Sequence, residues 1–554
     1  DYSTGNGTIT INLDDPAMSG DTLLVTTGFS GSFRSNPYFG GLIYEPDSDV
    51  LYTFGEPYET RYWLPCYDYP YDKVTTTMTV EMDEDYSVVS NGYLVSEEDL
   101  GDGIQRTVWQ SDDPMSTYLV SLAISPYEEI DLGTAGENDT PMSVWAYPGN
   151  VGVAEYEFGR TGEMIELFEE LFGPYPFNKY DQTMCPIFGG WGAMEHQTAT
   201  TYGDNLVLVG NRAFEFIVAH ELAHQWFGDE VGPFTFDNIW LNEGFASYSE
   251  VLWIESYSPA LADVHLQTQK EAYFNHDQSR RHSLFNPPDD QLFSTTIYDK
   301  GSWVLHMIRY LLGDEDFLAA IQTYVQTYSM GTAATHELQA AFEDQSGMNL
   351  QWFFDQWVYE AGYPRYRFRD LVVTGNETDG YTASMEVLQH QSNAPYFSMP
   401  VPLEFVFTSG DTIIDVPLEA AASQMVEVTG LPHAPQVVNF DPEGWILATA
   451  FMQEMEVEHD RSLETPNAFH LSEAYPNPFN SSTRFSVQLP APGTLRVSVF
   501  DLLGREVARL ADGTYRTGTH AFHFDASGDL AGGTYIIRAE ADGRREIRRV
   551  ILLK

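Results

Sequence analysis

The chain runs to 554 residues and carries 82 Asp and Glu against 27 Lys and Arg, a net charge of −55. That length is too great for one core and predicts three or four domains, and so large an excess of acid argues against nucleic acid as a partner. No apolar run approaches the roughly 18 residues of a membrane span, and nothing at Asp1 reads as a signal peptide.

Residues 1 to 138 alternate apolar and polar side chains between turn residues, as in TITINL, TLLVTTGF, TTTMTVEM and STYLVSLAIS. That period of two predicts a β domain. From about Pro141 the period becomes helical. Met164, Leu167, Phe168 and Leu171 share a face that stops at Gly173-Pro174, and Val304, Met307, Ile308 and Leu311 repeat the pattern, extended by Phe317, Ile321 and Tyr324. One α+β domain is expected over 139–365. Strands return in PLEFVF, TIIDVPL and QMVEVTG, predicting a β-sandwich over 366–450. Residues 451–470 are polar and aperiodic, the composition of a linker. In 471–554 strand and glycine turn alternate again, and this stretch holds eleven Lys or Arg against nine Asp or Glu, so it is near neutral while the rest carries the acid.

The chemistry concentrates in FEFIVAHELAHQWFGDEVGPFTFDNIWLNEGFASYSE, Phe214 to Glu250. His220 and His224 stand four apart, which in a helix stacks both imidazoles on one face. Glu221 then lies about 100° round the helix, beside a bound metal rather than on it, where a general base belongs. Catalytic zinc takes three protein ligands and keeps a fourth position for water, so a third ligand must come from elsewhere. Glu243 is the candidate, the lesser alternative being a carboxylate at a helix start after Asn242. The bland reading of the histidines is a solvated surface helix. Ile217, Val218, Leu222, Ala223, Trp226 and Phe227 argue against it, because charged groups on so apolar a helix have partners.

HELAHQWFG, with eighteen residues between its His224 and the Glu243 of WLNEGFASY, resembles the zinc aminopeptidase family of aminopeptidase N and leukotriene hydrolase. Three further segments resemble it in the family's order: EPYETRYWLPCYD, GAMEH at Gly192 to His196, and IYDKGSWVL. The resemblance implies a multidomain α+β fold: an N-terminal β saddle entered midway with upstream strands missing, then a thermolysin-like catalytic domain whose small sheet carries GAMEH as its edge. It also implies one zinc ion on His220, His224 and Glu243, with Glu221 as the base and Tyr298 as the donor to the oxyanion. The GAMEH loop, through Gly192, Ala193, Met194 and above all Glu195, would hold the free α-ammonium of a peptide. Glu56 matches a second position near that amine, although Phe54 and Gly55 depart from the family's flanks. His196 replaces the usual Asn. Cys66 falls in the family's Pro-Cys segment, so a buried thiol is expected there, unbridged to Cys185. Within 471–554, an expected immunoglobulin-like β-sandwich, AYPNPFNSSTRFSVQLP, LRVSVFDLLGREVARL, GTYRTGTHAFHFD, AGGTYIIRAE and the basic end REIRRVILLK resemble the C-terminal sorting domain of type IX secretion substrates, implying a secreted or cell-surface bacterial protein that meets that machinery. The alternative is a generic immunoglobulin-like module that binds sugar or the other domains.

The reading is thus a zinc aminopeptidase acting on peptides with a free N-terminus. A large helical domain that several family members carry finds no segment here, so the cleft is expected to be more open. An open-cleft endopeptidase and a zinc-free scaffold on the same fold are the alternatives. The acid excess reads as adaptation to a saline, halophilic or marine habitat. If so, the melting temperature should rise with added salt, since charges screened over about 30 Å at 0.01 M are screened over about 3 Å at 1 M. A flat or falling melting temperature across that range contradicts the saline reading.

Overall fold

The computed structural model describes residues 2–5, 7–32, 40–452, 468–480, 482–502, 504–526 and 530–553. These gather into two units: Asp1–Tyr363 with Asn393–Pro395 and Gly444–Leu447, and Pro364–Ser392 with Tyr396–Glu443 and Ala448–Lys554.

In the first unit the strand Val74–Asp83 alternates half-buried and exposed residues along its whole length, the pattern of a strand covered on one face. It pairs antiparallel with Ile104–Met115, which pairs in turn with Tyr93–Gly101. A four-stranded sheet, ordered Gly41–Glu45, Val50–Phe54, Leu122–Ser125, Ser87–Ser90, meets this one through Val88, Trp109, Leu122 and Ile124. Thr8–Ile11 forms a hairpin with Tyr2–Gly5. TLLVTTGF, expected to be a strand, is not one, and Leu24 within it is 94% exposed. Alternation makes a strand only where a neighbour takes the backbone N–H and C=O groups, and among the described residues no strand pairs with this segment.

A five-stranded sheet follows, ordered Glu128–Ala135, Thr140–Ala146, Tyr180–Cys185, Ala199–Gly203, Ala193–Met194. The boundary expected at 138/139 therefore falls inside a hairpin, since Glu128–Ala135 pairs directly with Thr140–Ala146. Tyr180–Cys185 and Ala199–Gly203 run parallel and are buried throughout, as strands covered on both faces are. Ala193–Met194 forms the antiparallel edge. The helix Thr161–Phe172 buries Met164, Ile165, Phe168 and Phe172 and ends at Gly173, whose φ of 109° a side chain would resist.

Four helices then frame the chemistry: α1 (Glu215–Ala223), α2 (Trp240–Tyr257), α3 (Pro259–Asp277) and α4 (Gly301–Leu312). α2 is buried from Trp240 to Ile254 and packs against the other three. Its crossing with α4 is made backbone to backbone. A Cβ placed on Gly244 would lie 3.0 Å from the Gly301 Cα, and one on Gly301 would lie 2.8 Å from the Gly244 Cα. Each glycine directly adjoins a residue or turn of the predicted site: Gly244 follows Glu243, and Gly301 follows the single π-helical turn Thr296–Lys300 that carries Tyr298.

The second unit holds a four-stranded sheet, ordered Ser423–Leu431, Gly380–Gln389, Arg365–Asn376, Thr449–Met452, and a three-stranded one, ordered Gly410–Leu418, Met399–Phe407, Val437–Phe440. Of the linker expected at 451–470, residues 453–467 lie outside the described residues. Phe451 and Met452 belong to the preceding strand and His470 to the following one, so the expected linker is too long at both ends. Beyond it, sheets of three and four strands contribute to one apolar cluster that includes Leu471, Phe485, Val497, Ile537 and Val550. Both cysteines are free, and Cys66 is half-buried rather than buried, with Cys185 fully enclosed.

The helix crossing gives a direct test. Gly301→Ala should cost about 1–3 kcal/mol, as overpacking does, visible as a lower melting temperature together with reduced turnover. A variant as stable and active as the parent would show that the crossing tolerates a side chain.

Candidate active site

His220 lies in α1 and His224 caps its end, with the two ring centroids 4.8 Å apart. Each Nδ1 is already committed. That of His220 is 2.7 Å from Glu250 Oε1, and that of His224 is 2.9 Å from the Phe227 carbonyl oxygen. Acceptors at both Nδ1 atoms put the ring protons there and leave the two Nε2 lone pairs free. Both Nε2 atoms face Glu243, whose Oε2 is 3.4 Å from His220 and 3.5 Å from His224. Ligands about 2.0–2.1 Å from a tetrahedral zinc stand about 3.3–3.4 Å from one another, so the three side chains fit that ion.

The electrostatics agree with the geometry. Burial pushes both imidazoliums down, but the surrounding carboxylates more than offset it, raising His220 well above its ordinary value and His224 to about 9. Burial pushes Glu243 up, yet His224 and His220 hold it down at about 2. The trio therefore favours positive charge at its centre, which a cation supplies.

More carboxylates crowd the same space. Glu195, Glu221 and His224 also bring ligand atoms within 4.8 Å of one another. Glu56 Oε1, Glu195 Oε1 and Glu221 Oε2 are buried without a hydrogen-bond partner. Burial raises all three: Glu56 well above its ordinary value with Glu195 adding to the shift, Glu195 likewise upward, and Glu221 to about 8. Buried charges left unpaired in this way are costly, so the cluster favours positive charge nearby. Gln225, next to His224, ties α1 to the sheet edge: its Nε2 donates to the Glu195 carbonyl oxygen at 3.1 Å and its Oε1 accepts from the Thr198 N–H at 2.9 Å. The Tyr298 ring stacks on His220 with centroids 5.9 Å apart and planes 13° from parallel. Burial raises its hydroxyl pKa, so it stays a donor.

Every predicted site residue except Met194 lines one cleft of about 480 Å³. Met194 is buried and off the cleft, while Ala193 and Glu195 on either side of it line the wall, as the alternation of a strand requires. His196 is also off the cleft. Its Nδ1 lies 3.0 Å from Thr201 Oγ1, and burial lowers its pKa to about 3, so it is neutral. Three contributors escaped the sequence reading. Glu250 sits seven residues after Glu243, two turns along the same face of α2, a spacing that could have found it. Gln225 adjoins the motif. His265, from α3, holds the far oxygen of Glu250 at 2.6 Å and leaves no local signal.

Comparison with known proteins fits this arrangement. Residues 156–357 match the peptidase family M1 domain and residues 4–119 the peptidase M1 N-terminal domain. The chain belongs to peptidase family M1. Outside the M1 regions, residues 473–553 match a secretion system C-terminal sorting domain. This M1 chain is 30% identical over 334 residues to glutamyl aminopeptidase of Homo sapiens, covering 57% of the chain and 34% of that protein. It is also 30% identical over 362 residues to probable aminopeptidase 2 of Sulfurisphaera tokodaii, covering 61% and 45%. It thus spans less than half the length of these curated relatives. The crystal structure of Legionella pneumophila aminopeptidase A in complex with aspartic acid shares the fold, with a TM-score of 0.64 over 76% of this chain and 50% of that one at 18% identity.

The His220 acceptor can be tested apart from turnover. Glu250→Gln should weaken zinc binding about ten- to a hundredfold, the usual effect of losing such a partner, measured by competition with a chromophoric chelator. Unchanged affinity would show that the Glu250 carboxylate does not set the ring.

Proposed function

We propose that this M1 chain is a zinc-dependent aminopeptidase that removes the first residue from peptides with a free N-terminus. The observation that carries the reading is the pair of buried, unpartnered carboxylate oxygens on Glu56 and Glu195 beside the His220, His224 and Glu243 trio. In a peptide the α-nitrogen and the first carbonyl carbon are about 2.5 Å apart. A carboxylate that holds the ammonium at this distance from the trio leaves room for the first peptide bond there and for no other.

His220 Nε2, His224 Nε2 and a Glu243 oxygen would hold the zinc, which when bound supplies Lewis acidity and lowers the pKa of adjacent water. The remaining work belongs to the chain. Glu221, pushed up to about 8 and with Oε2 free of protein partners, takes the proton of the attacking water and returns it to the leaving amine. Tyr298 keeps its proton and donates to the carbonyl oxygen as charge builds on it, a contribution of about 3–4 kcal/mol for one such donor. Glu195 and Glu56 bind and neutralise the ammonium. We read the first unit's helical region as thermolysin-like, the two β regions of the second unit as a sandwich and an immunoglobulin-like module, and residues 473–553 as the signal for type IX export to the cell surface or medium.

Glu195→Ala tests the reading. The variant should lose at least tenfold in kcat/KM on free-amine arylamides while keeping its zinc content, because Glu195 binds substrate and not metal. Equal kcat/KM in variant and parent would remove Glu195 from the amine, and loss of the zinc would make it a ligand.

A further inference from the structure

The two carboxylates assigned to the amine are flanked by aromatic residues that this mechanism does not use. Phe54 ends the strand Val50–Phe54, two residues before Glu56. Phe188 and Trp191 lie in the turn that leads into Gly192, Ala193 and Glu195, and all three aromatic residues line the cleft. Phe188 has a left-handed backbone, φ 48° and ψ 39°. A bulky side chain resists that conformation, which persists only where its surroundings fix it, typically at functional sites.

Two contacts show what the conformation achieves. The Phe188 ring meets Phe54 edge to face with centroids 4.8 Å apart. It also lies directly over Gly192, where an added Cβ would fall 2.1 Å from Phe188 Cδ2, so only glycine lets the ring occupy that place. The strain is thus spent on setting an aromatic wall against the loop that carries Glu195. Trp191, 63% exposed, continues the wall at the mouth. Among the described residues lining the cleft there is no Lys or Arg.

We propose that Phe54, Phe188 and Trp191 form the subsite for the first side chain of the substrate and select large apolar, above all aromatic, first residues while rejecting acidic ones. The inference rests on the aminopeptidase reading, because only an anchored α-ammonium places the first side chain against this wall. An aromatic first residue buries its area there and gains edge-to-face contacts. A first-residue carboxylate meets no cation and faces Glu56 and Glu195, so it loses water without recompense. A first-residue lysine must strip its ammonium against an apolar surface, with both nearby carboxylates already occupied by the α-ammonium.

The test is a panel of Phe, Leu, Ala, Lys and Glu arylamides on the full chain loaded with zinc. By kcat/KM, Phe and Leu should exceed Ala and Lys at least tenfold and Glu at least a hundredfold. Phe188→Leu and Phe54→Gln should each lower the Phe-to-Ala ratio at least fivefold, and using two variants guards against one that fails to fold. Hydrolysis of the Glu substrate within tenfold of the Phe substrate overturns the proposal, as does a Phe-to-Ala ratio unchanged in both folded variants. Failure to cleave any of the five, together with internal cleavage of a blocked peptide, overturns the aminopeptidase reading itself and this proposal with it, an outcome distinct from a changed order of preference.

Discussion

Four carboxylates, those of Glu56, Glu195, Glu221 and Glu243, are sunk into one cleft beside two imidazoles, and much of the first unit is arranged to keep them there. Left to themselves they would protonate, as the raised values of Glu56, Glu195 and Glu221 show, since an isolated buried charge costs several kcal/mol. What distinguishes them is their partners. Of these four only Glu243 is held low, by the two histidines, as Glu250 beside them is by His220 and His265. Glu221 keeps one oxygen free and is pushed up by burial to about 8. Glu56 and Glu195 each keep an oxygen that no protein donor reaches. In the proposed reading one metal and one ammonium supply the missing charge.

The scaffold holds these groups by tight local contacts rather than by bulk. Gly244 and Gly301 bring α2 and α4 together at the backbone, with Glu243 at the Nε2 edge of His220 and Tyr298 stacked on its ring. The carbonyl of Phe227 and the carboxylate of Glu250 hold the two rings in one tautomer. Gln225 fastens the end of α1 to the sheet edge at Glu195 and Thr198. On the aminopeptidase reading, a displacement of any of these by an ångström would shift the amine carboxylates relative to the His220, His224 and Glu243 trio.

Much of this was legible because it is local. The four-residue spacing of His220 and His224 decides their common face, and the strand alternation of Val74–Asp83 decides its two faces. The same rule of alternation, applied residue by residue to GAMEH, would have removed Met194 from the site. What escaped depends on distant partners. TLLVTTGF has the pattern of a strand but no neighbour to pair with, and the sheet that carries GAMEH begins already at Glu128 because its first strand is recruited by Thr140–Ala146. His265 reaches the site from α3 through Glu250, and Phe188 through a backbone conformation that no residue preference predicts.

The central claim is that the amine, and not the zinc trio alone, decides which bond is cut. It is tested most directly by following a decapeptide and its N-acetylated twin by mass spectrometry with the same zinc-loaded protein. The account predicts a ladder of products shortened one residue at a time from the free-amine peptide, and an acetylated peptide that stays nearly intact. Internal cleavage of the acetylated peptide at a rate comparable to loss of the first residue from its twin would contradict it.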